Sequence, residues 1–170
     1  MKRGKALLGW DLVAGRAHQS DAATQEGTTP LVGTWRLVDV VAVREDGTTI
    51  TSKWGPHPQG YIVYDRSGHM AAQVSGDPRP KLRDPDNPTA EEARAAYLSY
   101  LAYAGTYVFD PVRSLVTHHI EFSMEPADIG ENFQREVRLE GSRVVLLADP
   151  YTLRGQKVRN RLTWERVSAP

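Results

Sequence analysis

The chain has 170 residues, with 21 basic side chains against 21 acidic ones, a balance that gives no general attraction for nucleic acid or an anionic membrane. No cysteine is present, which excludes disulfides, thiolate metal sites, Fe–S clusters and cysteine nucleophiles. The apolar fraction of 40% and regular turn signals speak for one folded domain with a real core, and no apolar run is long enough to span a membrane.

The first stretch, "MKRGKALLGWDLVAGRAHQSDA", has a basic start and a short apolar segment. Asp11 interrupts that segment, Arg16 follows, and no clean small-x-small cleavage site appears. It reads as a peripheral extension with a short helix through Leu7, Leu8 and Leu12. The expected location is cytoplasmic, with export through a poor N-terminal signal as the alternative. "SDAATQEGTTP", Ser20 to Pro30, is small, polar and proline-terminated, and reads as a linker. Residues 1–30 are therefore set apart from a domain over 31–168.

From Leu31 the pattern becomes short β-rich runs separated by turns. "LVGTWRLVDVVAV" is a long first strand and "EDGT" a hairpin turn. "TTITSKW" returns, and "WGPHPQG" is a loop stiffened by Pro56 and Pro58. "YIVY", "DRSG" and "HMAAQV" form a second hairpin, followed by a long loop dense in proline and aspartate. "TAEEARAAYLSYLAYAG" is the one convincing helix, expected over about 89–104. Thr89 and Glu92 have capping-box spacing, and Gly105 stands where a C-terminal stop belongs. The rest, "TYVF", "LVTHHIEF", "FQREVRL", "RVVLL" and "KVRNRLTWERV", reads as further strands. About eight to ten strands with one inserted α-helix and short turns predict an all-β, up-and-down antiparallel barrel.

Gly33-x-Trp35 opening the first long strand resembles the G-x-W of the lipocalin and wider calycin families. An indole is a large flat plug for the narrow end of a barrel, and its N–H still needs a partner. In those families an arginine on the last strand lies across the indole; Arg166 in "LTWERV" takes that place, with Arg161 as second choice. The runs "LVGTWRLV", "GPHPQGYIVYDRSGHMAAQV", "YLAYAGTYVFD", "VTHHIEFS" and "RLTWERV" together resemble the bacterial and fungal lipocalin-like domain family over roughly Leu31 to Val167. The resemblance implies a calycin-type barrel with a cavity. Some relatives sit in secondary-metabolite pathways. It implies no particular activity.

Strand alternation assigns faces. Trp35, Leu37, Asp39, Val41 and Val43 are expected inward on the first strand. So are Leu162, Trp164 and Arg166 on the last. Pairing Tyr64 with His69 would set Tyr61 and Val63 beside Met70, Ala72 and Val74. Val116, His118, Ile120 and Phe122 share one face. Thr117, His119, Glu121 and Ser123 share the other. The apolar company favours His118 inward; a wet lumen would favour His119.

The catalytic candidates are His118, His119 and Glu121. An imidazole can move a proton on a bound carbonyl or enol near neutral pH, or be a core histidine satisfied by a tyrosine hydroxyl. His119 and Glu121 would form either a carboxylate-oriented base or a solvated pair. Tyr61, Met70, Tyr97, Tyr100, Phe122 and Trp164 are candidate ligand contacts. The tyrosines of the helix either cap the open end as hydroxyl donors or pack on the outer wall. Trp54 and His57 stand either at the barrel mouth or in an ordinary loop. No metal site is expected, because the histidines lack H-x-H or H-x-x-x-H spacing. No cofactor is implied, and no glycine-rich phosphate loop is present. The expected partner is a small, largely apolar ligand in the cavity. The alternatives are a cofactor-free cyclase or isomerase acting on a polyketide- or terpenoid-like substrate, and a solidly packed structural barrel.

Overall fold

The computed structural model describes residues 29–153 and 155–167; the helix expected through Leu7, Leu8 and Leu12 lies outside the described residues. In chain order the elements are β1 (Gly33–Arg44), β2 (Thr49–Thr51), β3 (Gln59–Tyr64), β4 (His69–Ser75), α1 (Ala90–Leu98), β5 (Tyr100–Asp110), β6 (Leu115–Ser123), β7 (Asn132–Glu140), β8 (Arg143–Ala148), β9 (Tyr151–Leu153) and β10 (Gln156–Arg166). All but β2 and β9 form the barrel wall as antiparallel neighbours in chain order, and pairing of β1 with β10 closes the ring. Closure leaves no unpaired edge between the eight wall strands. The result is a closed eight-stranded up-and-down barrel with one α-helix among the described residues, the architecture the strand spacing predicts.

The β3–β4 turn sets its own register. Tyr64 pairs with Met70, and the Asp65 amide donates to the His69 carbonyl. The loop is thus Arg66 to Gly68, three residues ending in Gly68 at φ +87°, a conformation that glycine adopts without steric cost. The expected pairing of Tyr64 with His69 is one residue off, and a one-residue slip exchanges the faces. Ile62 and Tyr64 are buried with Met70, Ala72 and Val74, while Tyr61 and Val63 are exposed.

Bulges correct two further assignments. The β1–β10 register shifts between Leu37 and Asp39. An extra residue reverses the alternation beyond it, so Val40 and Ala42 are buried where Asp39, Val41 and Val43 were expected. The β5–β6 register shifts at Ala104/Gly105, which pair with Phe122 and Ile120. Glu121 is the extra residue, and Phe122 turns out to solvent, 69% exposed.

The helix begins as its capping box predicts: the Thr89 side chain accepts from the Glu92 amide, and Glu92 reaches back to Thr89. It ends at Leu98, not Ala104. None of its residues is buried, so nothing extends it into the following segment. Tyr100 to Asp110 instead pairs along both edges, with β4 and with β6. Aromatic and β-branched residues suit that pleated position, and Gly105 lies mid-strand, not at a helix stop. One buried cluster running from Leu31 and Trp35 through Met70, Val116 and Ile120 to Trp164 fills the barrel.

Candidate functional site

At the closed end the Trp35 indole is fully buried and donates to the Leu31 carbonyl at 2.7 Å. The Arg166 guanidinium lies 3.9 Å from its ring centre and donates to the carbonyls of Val32 (2.7 Å) and Pro30 (2.6 Å). One side chain thus ties the last strand to the segment entering the first, by cation–π contact and charge-assisted hydrogen bonds. Arg161 sits on the outer face, opposite Val41 and Leu147.

Inside the barrel β3, β5 and β6 bring together a polar cluster. His118 has no exposed surface. Its Nε2 lies 2.8 Å from the Tyr64 hydroxyl and its Nδ1 lies 3.2 Å from the Tyr103 hydroxyl. Burial, then the Arg135 charge, then His119 lower its pKa to about 3, so the ring is neutral at neutral pH. A neutral imidazole has one donor and one acceptor, so the two hydroxyls play opposite roles. The distances fit the Tyr64 O–H donating to Nε2 and Nδ1–H donating to Tyr103. Burial pushes both hydroxyls above the ordinary tyrosine range, which keeps them protonated. Phe133 meets Tyr103 edge-on at 5.6 Å, and Arg135 stands 5.1 Å from the Phe133 ring centre. Tyr107 packs on Tyr64 and donates to the Asp65 carbonyl at 2.9 Å.

The other candidates are dispersed. His119 faces outward, where its Nδ1–H donates to the Asn132 side-chain oxygen. Glu121 is exposed at the bulge. Tyr97 is on α1, where its hydroxyl donates to Glu125 at 2.5 Å. Tyr100 lies on the outer face of β5 and donates to Gln73 at 2.6 Å. Tyr61 faces out, with Arg36 5.5 Å from its ring centre. Tyr61, Tyr100 and Phe122 therefore line no cavity in the barrel, for the register, helix-end and bulge reasons given above. Met70 and Trp164 are inward and buried in the cluster. The Trp164 indole N–H has no hydrogen-bond partner among the described residues.

At the opposite end lies a hollow of about 230 Å³ lined by Ala42, Ser52, Lys53, Trp54, Tyr151, Leu153 and Asn160. Ala42 and Asn160 are direct partners and share the inward phase of Val40 and Leu162. Trp54 is buried, with the Lys53 ammonium 4.5 Å from its ring centre. The Tyr151 hydroxyl donates to Asn160 Oδ1 at 2.9 Å, which leaves the Asn160 amide hydrogens as donors. His57 is exposed. Sequence reading offered Tyr103 as a hydroxyl donor but on the helix, where the structure has it on β5, and singled out neither Tyr64 nor Asn160. The two-residue spacing of Leu101, Tyr103, Gly105 and Tyr107 was the available signal for Tyr103. Asn160 carried none, because β9 and Trp54 give it its meaning.

Among the described residues no helix is long and apolar enough to cross a membrane, and no three metal-binding side chains cluster. No curated protein matches the chain at a significant level. The lipocalin-like domain matches residues 32–167. That span begins at the Val32 carbonyl gripped by Arg166 and runs through the closing strand, so the whole closed barrel, with its Trp35–Arg166 end, belongs to the lipocalin-like domain family.

Proposed function

We propose that the protein binds a small, largely apolar molecule at the open end of its barrel. The observation that carries this reading is the hollow of about 230 Å³ against Ala42, Trp54 and Leu153. It is smaller than the roughly 300–1,000 Å³ of common ligand sites, yet larger than the roughly 150 Å³ that encloses benzene. A single ring or a short branched chain fits it better than a fused polycycle. The amide hydrogens of Asn160, which meet no acceptor among the described residues, favour a carbonyl or ether oxygen on that molecule. The family resemblance supports a place in secondary metabolism; the hollow speaks only of size and polarity.

Binding is favoured over cyclase or isomerase chemistry by the placement of His118. Both of its ring nitrogens are occupied and no surface of it is exposed, so a bound molecule would have to displace a tyrosine to reach it. A general base needs hydrogen-bond reach to the proton it moves. Acetophenone, with ethylbenzene as the analogue lacking an acceptor, tests the reading. Acetophenone should shift the Trp54 indole N–H resonance more strongly than ethylbenzene, and Ala42→Leu, which fills the hollow, should weaken it at least about tenfold. If neither compound perturbs Trp54 at millimolar concentration, the barrel end is not a ligand site.

A further inference from the structure

A second and larger hollow, about 300 Å³, lies where β1, β8 and β10 end. It is on the outside of the wall. Val43 pairs with Arg159, and Leu147 pairs with Arg161. These are the residues that alternate with the inward pairs Ala42–Asn160 and Leu146–Leu162. Val43, Leu147 and Arg159 thus meet the hollow from the outer phase, whereas Arg44 and Val158, which pair with each other, carry the inward phase and border it at the strand ends.

Its chemistry is divided. Val43, Leu147 and Pro150 form an apolar floor, and Arg44, Lys157 and Arg159 stand around it, three cations against the carboxylates of Glu45 in the lining and Glu136 beside Arg159. The cations are only partly engaged. Arg44 spends Nε on Gln156 and one Nη on Thr48. Arg159 spends Nε on the Ala148 carbonyl and one Nη on Glu136, at 2.8 Å. A guanidinium has five N–H donors, so each arginine keeps donors in reserve. Lys157 and Glu45 are 4.0 Å apart, and both side chains are mostly exposed, a pairing that holds loosely.

We propose that this outer hollow is a binding site for a small amphiphilic monocarboxylate, its chain on the Val43–Leu147–Pro150 floor and its carboxylate beside Lys157 and the arginines. An inorganic anion would leave the floor bare. A neutral alcohol would leave the surplus positive charge unanswered. A carboxylate with a short hydrocarbon tail satisfies both, and it displaces Glu45 from Lys157 at little cost. The site is independent of the one proposed inside the barrel end.

The experiment is a titration of the full chain with hexanoate, with hexan-1-ol and acetate in parallel, followed by amide chemical shifts. Hexanoate should shift Val43, Leu147 and Lys157 and bind at least about fivefold more tightly than either comparator. Raising salt from about 50 mM to about 500 mM should weaken it severalfold, because exposed charges are screened. Lys157→Gln should reduce hexanoate affinity at least about threefold, whereas Ala42→Leu should leave it unchanged. Equal binding of hexanol, equal binding of acetate, or insensitivity to Lys157→Gln would each overturn the proposal. Loss of hexanoate binding in Ala42→Leu would also overturn it, by placing the ligand inside the barrel end.

Discussion

His118 shows how one residue can be chemically versatile in isolation and constrained in place. Its ring is enclosed, neutral and held at both nitrogens. In the folded chain it takes a proton only near pH 3, against 6.5 for the free group. Between those values the unfolded chain binds a proton that the folded chain refuses, so stability falls as pH falls. The slope approaches roughly 1.4 kcal/mol per pH unit well below 6.5. The urea midpoint should therefore drop between about pH 6.5 and pH 5.5, above most of the range where carboxylates titrate. In His118→Gln that dependence should flatten, even though the variant is less stable at neutral pH; an unchanged slope would mean the histidine is not the group responsible. Nitrogen-15 shifts of the imidazole should report a single Nδ1–H tautomer that does not titrate between about pH 5 and 8. An Nε2–H tautomer would reverse the direction of the Tyr64–His118–Tyr103 chain.

At the scale of elements, the β5–β6 pair determines which side chains enter the barrel. Gly105 faces the bulge, and a Cβ there would stand 2.0 Å from the His119 carbonyl oxygen and 2.9 Å from the Glu121 amide. Both are backbone atoms with no side-chain freedom to yield. Gly105→Ala should therefore cost more than about 2 kcal/mol in denaturant unfolding, well beyond a typical surface change. A loss under about 0.5 kcal/mol would show that the strands separate easily and that the bulge is not a fixed feature. The same pair explains the short helix. Capping residues start α1 locally, but its end is decided by the pairing of Tyr100–Asp110 with two other strands. Of the four tyrosines in "YLSYLAYAGTY", one remains on the helix, one lies outside the barrel and two enter it.

For the whole molecule, closure and filling are distributed to opposite ends. Arg166 links β10 to the segment before β1 through two backbone carbonyls and the Trp35 ring. Arg166→Met keeps much of the packing and removes those interactions, which should cost about 2–4 kcal/mol and lower Tm by roughly 5–12 °C. Arg166→Lys should recover only part, since a lysine cannot grip two carbonyls from a planar fork. A Tm within about 1 °C of wild type would reduce the contact to decoration of the barrel floor. The opposite end holds both hollows, one inside the wall and one outside, with β10 contributing to each. Ligands of different polarity could then be bound on the two faces of the same strand.

By itself the sequence determined the barrel class, the Gly33–Trp35 opening, the arginine strand that closes it, the Thr89–Glu92 cap and the alternation within β10. Each follows from neighbours a few residues apart or from side-chain period alone. The placement of Tyr61, Phe122 and Val41 was decided only in the tertiary structure. A bulge or a three-residue turn shifts the period by one, and its position depends on the partner strand. The hollows are less local still: Ala42, Trp54 and Asn160 meet because the ring closes. Which molecule fits between them depends on a volume that no stretch of the chain contains.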